Sequence, residues 1–151
     1  MKEWLSSDEL RVIRAFLDAG VRLVIIGGRA VQFHGHFRPT KDLDLLVEAT
    51  SENAKRLMVA LKSLECKVRD PEQFLNLSED WRVKCAVCRY PVEFLTAING
   101  VRFLDAWTDS IKTSADDLTL RVLSKPHLIS SKLNTGRPSD AADVKALQSS
   151  I

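Results

Sequence analysis

Two aspartates one residue apart, Asp42 and Asp44, stand in the run DLDLLVE, and two adjacent glycines, Gly27 and Gly28, break an apolar run upstream in IIGGRAVQF. Side chains alternate along a strand. Asp42 and Asp44 therefore share one face, about 7 Å apart between Cα atoms, while Leu43 and Leu45 take the other. Two ionised carboxylates side by side repel, and neither tolerates burial without a partner. A divalent cation held between them removes both costs. A hard ion such as Mg2+ accepts carboxylate oxygens and completes its shell with water and substrate phosphate. The glycines suit the same chemistry, because backbone without a Cβ lets a ligand approach closely and the free N–H groups of a helix start attract anions. The competing readings are a solvated strand end for the aspartates and a tight turn for the glycines. The segment is not a Walker A loop, since no Gly-Lys-Ser/Thr follows, and it is not the dinucleotide pattern G-x-G-x-x-G.

These residues need elements to position them. Ser6 to Ala19 has a helical period, with Ser6 and Glu9 forming a capping-box pattern and Leu10, Ile13, Phe16 and Leu17 on one face. Gly20 follows as a C-terminal stop. The run RLVII, 22–26, suits a strand buried on both faces. The glycines then turn the chain into a short helix, RAVQFH, and GHFRPTK is a loop in which Pro39 opposes regular structure at Arg38. DLDLLVE is the next strand, and Thr50 or Ser51 caps a helix to about Leu64. WRVKCAVC, PVEFLT and LTLRVL read as further strands, the first two adjacent. Ser124 with Pro126 opens a helix through about Asn134, and Pro138 opens a last one through Gln148. The expected fold is α/β: a mixed sheet of about four to five strands flanked by helices in a single domain over residues 1–151. Its core lies at 22–95 and a C-terminal helical part at about 124–148.

Composition narrows the function classes. A chain of 151 residues with 45% hydrophobic and 28% charged residues can bury a substantial core. A net charge of +2, with no run of like charge longer than two, argues against a general nucleic-acid binder. No apolar run approaches the roughly 20 residues of a membrane span. The opening MKEWLSSDEL lacks the apolar region of a secretion signal, and the three cysteines cannot all pair within one chain, so a reduced, cytoplasmic protein is expected.

The block GGRAVQFHGHFRPTKDLDLLV resembles the signature of the DNA polymerase β-like nucleotidyltransferase superfamily, in which Gly-Ser or Gly-Gly after a strand precedes Asp-hydrophobic-Asp on the next. It is most similar to small, single-domain bacterial members related to abortive-infection and toxin–antitoxin nucleotidyltransferases. The resemblance implies a third carboxylate on a later strand, supplied by Glu93 in YPVEFLT. It also implies a late motif that LISSKLNTGRPSDAAD matches with Lys132, Arg137, Asp140 and Asp143. Two features depart from the commoner pattern: Gly28 lacks the hydroxyl of a Gly-Ser pair, and the third carboxylate is Glu rather than Asp.

The implied chemistry is metal-dependent transfer of NMP from an NTP to an acceptor. Two Mg2+ or Mn2+ ions about 3.5–4 Å apart would be held by Asp42, Asp44 and Glu93. Gly27 and Gly28 would present backbone to phosphates, and Arg38, Lys41, Lys132 and Arg137 would bind phosphate or nucleotide. Arg38 and Lys41 read equally as solvated loop charges, and Arg137 as a local partner of Asp140. Arg29 lies at a helix start, where a cation is unfavourable unless an anion is bound. His34 reads as packing or capping the short helix, and Cys85 and Cys88 as buried thiols, since i and i+3 on a strand face opposite sides. ATP or another NTP is the implied donor. The acceptor (a tRNA end, a protein or a small molecule) stays open, and a partner protein or homo-oligomer would extend the surface for it. A degenerate member that binds nucleotide or a partner without catalysis is the alternative. On the turn reading of Gly28, a Gly28→Ala chain melts lower; on the phosphate reading it melts as before and binds NTP less well.

Overall fold

The computed structural model describes residues 3–66 and 91–149, and the backbone of 81–83. Helix α1 (Ser7–Asp18) starts where the capping box predicts: the Ser6 hydroxyl accepts from the Glu9 N–H, and the Glu9 carboxylate accepts from the Ser6 N–H. Gly20, at φ +82°, follows its C-cap. Strand β1 (Leu23–Ile26), α2 (Gly27–Phe33), β2 (Leu43–Val47) and α3 (Ser51–Ser63) come next, with Thr50 capping α3. Then follow β3 (Trp81–Val83), β4 (Val92–Leu95), α4 (Phe103–Thr108), the hairpin β5 (Ile111–Ala115) and β6 (Leu118–Val122), α5 (Lys125–Lys132) and α6 (Pro138–Ser149). Ser124 caps α5 through the His127 N–H.

The strands form one mixed sheet in the order β3-β4-β2-β1-β6-β5. Strand β1 runs antiparallel to β2 and parallel to β6, while β2 runs parallel to β4. The sheet is α/β and mixed, as the sequence predicts, with six strands. The sixth, β5, is an edge strand whose residues are mostly exposed, so it lacks the apolar alternation that marks a half-buried strand. Helix α4 also escapes the sequence pattern: it spans six residues, and its N-cap Arg102 makes no side-chain capping bond.

Burial explains which face of the sheet carries Asp44. One core joins Val12, Ile13 and Phe16 of α1 and Leu57 and Leu61 of α3 to Ile25, Leu43, Leu45 and Phe94 of the sheet. The second joins Val24, Ile26 and Leu46 to α2, α4, α5 and α6 through Ala30, Val31, Phe103, Leu128 and Leu147. Alternation along β2 therefore commits Leu43, Leu45 and Val47 to the first core and leaves Asp44 on the face of Leu46. Among the described residues no helix is long and apolar enough to cross a membrane.

Candidate active site

Strand pairing brings the carboxylates together. Asp44 pairs with Ile26 on β1 and with Glu93 on β4, and Asp42 lies one residue before β2. Carboxylate oxygens of Asp42, Asp44 and Glu93 all lie within 4.8 Å of one another, on half-buried side chains. Three like charges at this separation repel strongly, and an all-oxygen donor set of this kind suits a hard divalent ion. The residues therefore fit Mg2+ or Mn2+, with Asp42, Asp44 and Glu93 as the holding groups. They line a cleft of about 540 Å3 together with Asn99, with Ser131 and Lys132 of α5, with Thr135 and Arg137 of the turn that follows, and with Asp140 of α6.

The four basic residues named from the sequence occupy different positions. Lys132 and Arg137 line the cleft. The Lys132 ammonium donates to Asp140 at 3.1 Å and sits 3.0 Å from Asp143. Asp140 also accepts from the Thr135 hydroxyl at 2.8 Å, so it does not form the local pair with Arg137. Arg137 is exposed, and among the described residues no carboxylate pairs with its guanidinium. Arg38 and Lys41 do not line the cleft. Arg38 grips Asp143 with two donors, Nε at 2.7 Å and Nη2 at 2.8 Å, and Lys41 is exposed on the loop.

Asp143 is the hub that sequence reading left as a motif letter. Its side chain is fully buried and is held by Arg38 and Lys132, with the His36 ring at 3.7 Å. Burial pushes its carboxyl pKa up, but the hydrogen bonds from Arg38 and Lys132 and their charges outweigh this and hold it below the usual range. The Arg38 guanidinium is raised, chiefly by its hydrogen bond to Asp143. One carboxylate thus ties α6 to both the loop that leads into Asp42 and the lysine of the cleft wall. The partners lie more than 90 residues apart for Arg38 and on a different helix for Lys132, beyond any local spacing rule.

The glycines are tighter than the sequence suggests. Gly27 has φ +66°, and a Cβ there would lie 2.1 Å from the Asp44 Oδ2. Gly28 lacks a left-handed φ, yet its Cβ would meet the Thr40 Oγ1 at 2.6 Å and the Thr40 Cβ at 2.8 Å. Close packing, rather than positive φ, would therefore make Gly28→Ala costly, which argues against an unchanged melting temperature. Helix α2 begins at Gly27 itself. The anion opposite Arg29 is internal: its Nε donates to the buried Glu9 at 2.8 Å, and Nη1 donates to Gln32 at 2.8 Å. His34 packs as expected, with Nε2 2.8 Å from the Leu123 carbonyl, and burial keeps its imidazole pKa low despite that contact. Cys85 and Cys88 lie outside the described residues.

Solved structures share this architecture. A lincosamide antibiotic adenylyltransferase in its lincomycin-bound form, LnuA, is similar at TM-score 0.65 and 16% identity, covering 97% of this chain and 98% of that one. A Thermotoga maritima protein assigned as a nucleotidyltransferase is similar at TM-score 0.58 and 18% identity, covering 92% and 91%. The antibiotic-resistance factor ANT(2'')-Ia is similar at TM-score 0.56 and 15% identity, covering 95% and 91%. At these identities the likeness establishes the fold. No curated protein matches the chain in sequence. Residues 8–149 match the model of a family described as nucleotidyltransferases of unknown function, DUF6036. Nearly the whole chain is matched, and it belongs to this DUF6036 nucleotidyltransferase family.

Proposed function

We propose that the protein is a metal-dependent nucleotidyltransferase that moves NMP from an NTP to an acceptor hydroxyl or phosphate. The observation that carries this reading is the meeting of Asp42, Asp44 and Glu93 within 4.8 Å on one wall of an open cleft. Mg2+ or Mn2+ held by these three would supply charge neutralisation for a triphosphate and a lowered pKa for the acceptor hydroxyl. Glu93 would take the acceptor proton, Lys132 and Arg137 would bind phosphate from the cleft they line, and Gly27, which also lines it, would present backbone there, whereas Gly28 packs on Thr40 outside the lining. Arg38 supports this wall through Asp143 rather than by touching nucleotide. In the transfer the acceptor oxygen bonds to the α-phosphorus, the bond to the β-phosphate oxygen breaks, and pyrophosphate leaves. The likeness to a lincosamide antibiotic adenylyltransferase favours ATP as the donor and makes a small molecule one candidate acceptor, beside a tRNA end or a protein.

The test is incubation of the protein with each α-labelled NTP, Mg2+ or Mn2+, and cell lysate. One macromolecule or metabolite should acquire label, and Asp44→Asn should abolish the transfer. Transfer that persists in Asp44→Asn at the original rate would remove Asp44 from the site.

A further inference from the structure

We propose that an open groove over the turn between α5 and α6 is the subsite for the base of the NTP, an assignment that rests on the reading of the adjoining cleft as the transfer site. The groove has a volume of about 390 Å3 and shares Lys132, Thr135 and Arg137 with the acidic cleft, so the two spaces adjoin. Its walls are apolar side chains of Leu133, Pro138, Ala141 and Val144, with the Asn134 amide among them. The cleft carries four carboxylates, of Asp42, Asp44, Glu93 and Asp140, whereas the groove carries none. This division of chemistry matches the two ends of one NTP. The polyanionic triphosphate belongs beside a carboxylate-held metal, and the neutral, flat base belongs between apolar walls, where an amide offers both a donor and an acceptor to its edge. A cationic acceptor would find no counter-charge in the groove, only Lys132 and Arg137 at its rim.

The groove is built to hold its shape. Asn134 and Gly136 adopt φ of +60° and +76°, which fixes the path of the turn. The Thr135 hydroxyl donates to Asp140 at 2.8 Å and accepts the Arg137 N–H at 3.2 Å. Arg137, with no carboxylate partner among the described residues, stands on the ridge between the two spaces, where base and phosphates would meet.

The test uses calorimetric titration of the full chain, with Mn2+ present, against the four NTPs and against inorganic tripolyphosphate. At least one NTP should bind about tenfold or more tightly than tripolyphosphate. Ala141→Trp fills the groove from an exposed helix position, so it should erase that advantage while leaving tripolyphosphate binding and the melting temperature unchanged. Ala142→Trp, exposed one residue away and outside the groove, should change neither. Tripolyphosphate binding with no NTP advantage, or an advantage that survives Ala141→Trp, overturns the base subsite alone. Normal NTP binding with slowed transfer in Ala141→Trp also overturns it and gives the groove to the acceptor. Failure of both NTP and tripolyphosphate to bind overturns the transfer reading and this proposal together.

Discussion

Gly28 shows how much one missing methyl decides. The Thr40 side chain, on the loop that leads into Asp42, occupies the space a Cβ would need, at 2.6 Å from Oγ1 and 2.8 Å from Cβ. A threonine is short and cannot swing its Cβ aside, so the loop or α2 must shift. Gly28→Ala should therefore destabilise by about 1–3 kcal/mol, the range for overpacking, and should weaken Mg2+–NTP binding as well. Denaturant melts and titration of the same variant check both; an unchanged midpoint would mean that the loop yields freely. At Gly27 the neighbour is Asp44 itself, so the glycine preserves room for a carboxylate of the site. The diglycine thus has a reason of volume, Gly27 against Asp44 and Gly28 against Thr40.

At the scale of elements, α6 is fastened to the site by one carboxylate. Asp143→Ala would leave the Arg38 and Lys132 cations facing each other across an empty pocket. Breaking a buried pair this way costs several kcal/mol, and because Arg38 remains 27% exposed we expect about 2–4 kcal/mol. The pH dependence follows from the depressed pKa of Asp143. A carboxyl whose folded pKa lies below its unfolded value contributes stability that is fully present above the unfolded pKa of about 3.9 and is lost as pH falls through the folded value. The stability gap between wild type and Asp143→Asn should therefore be widest near neutral pH and shrink below about pH 4. Urea melts at pH 7 and pH 3 measure it, and a gap that stays constant would show that Asp143 contributes packing rather than charge.

At the scale of the whole molecule, the proposed metal role of the acidic cluster makes stability depend on divalent ions. Three carboxylates within 4.8 Å are a cost in the metal-free chain that a bound ion removes. A ligand at 100 times its Kd adds about 2.7 kcal/mol to folding stability, which is several degrees for a chain of this size. Mg2+ or Mn2+ should raise the melting temperature of the wild type by that order. Asp42→Asn and Asp44→Asn should lose the metal response while melting, without metal, at the wild-type temperature or slightly above it. A wild type that melts identically with and without either ion would mean the cluster is not a metal site. Calcium serves as a comparison, since its longer bonds and higher coordination number fit a site tuned to Mg2+ less well.

Much of this was written in the sequence because it is local. The capping box at Ser6 and Glu9, the buried run of β1, and the phase of Asp42 and Asp44 against Leu43 and Leu45 depend only on neighbours along the chain and on fixed periods of 3.6 and 2. The resemblance carried by the glycine and aspartate blocks added Glu93, which strand pairing places directly beside Asp44. What local pattern cannot encode is which charge meets which. Arg29 meets Glu9 rather than a bound anion, Arg38 meets Asp143, and Lys132 takes Asp140 away from Arg137. Each of these depends on the order of strands and the crossing of helices, which bring together residues up to 105 positions apart. The same holds for Thr40 beneath Gly28 and for the groove beside the cleft. Periodicity fixed the face on which each carboxylate stands; only the packed sheet and helices decided the distances between them and which cations line the cleft.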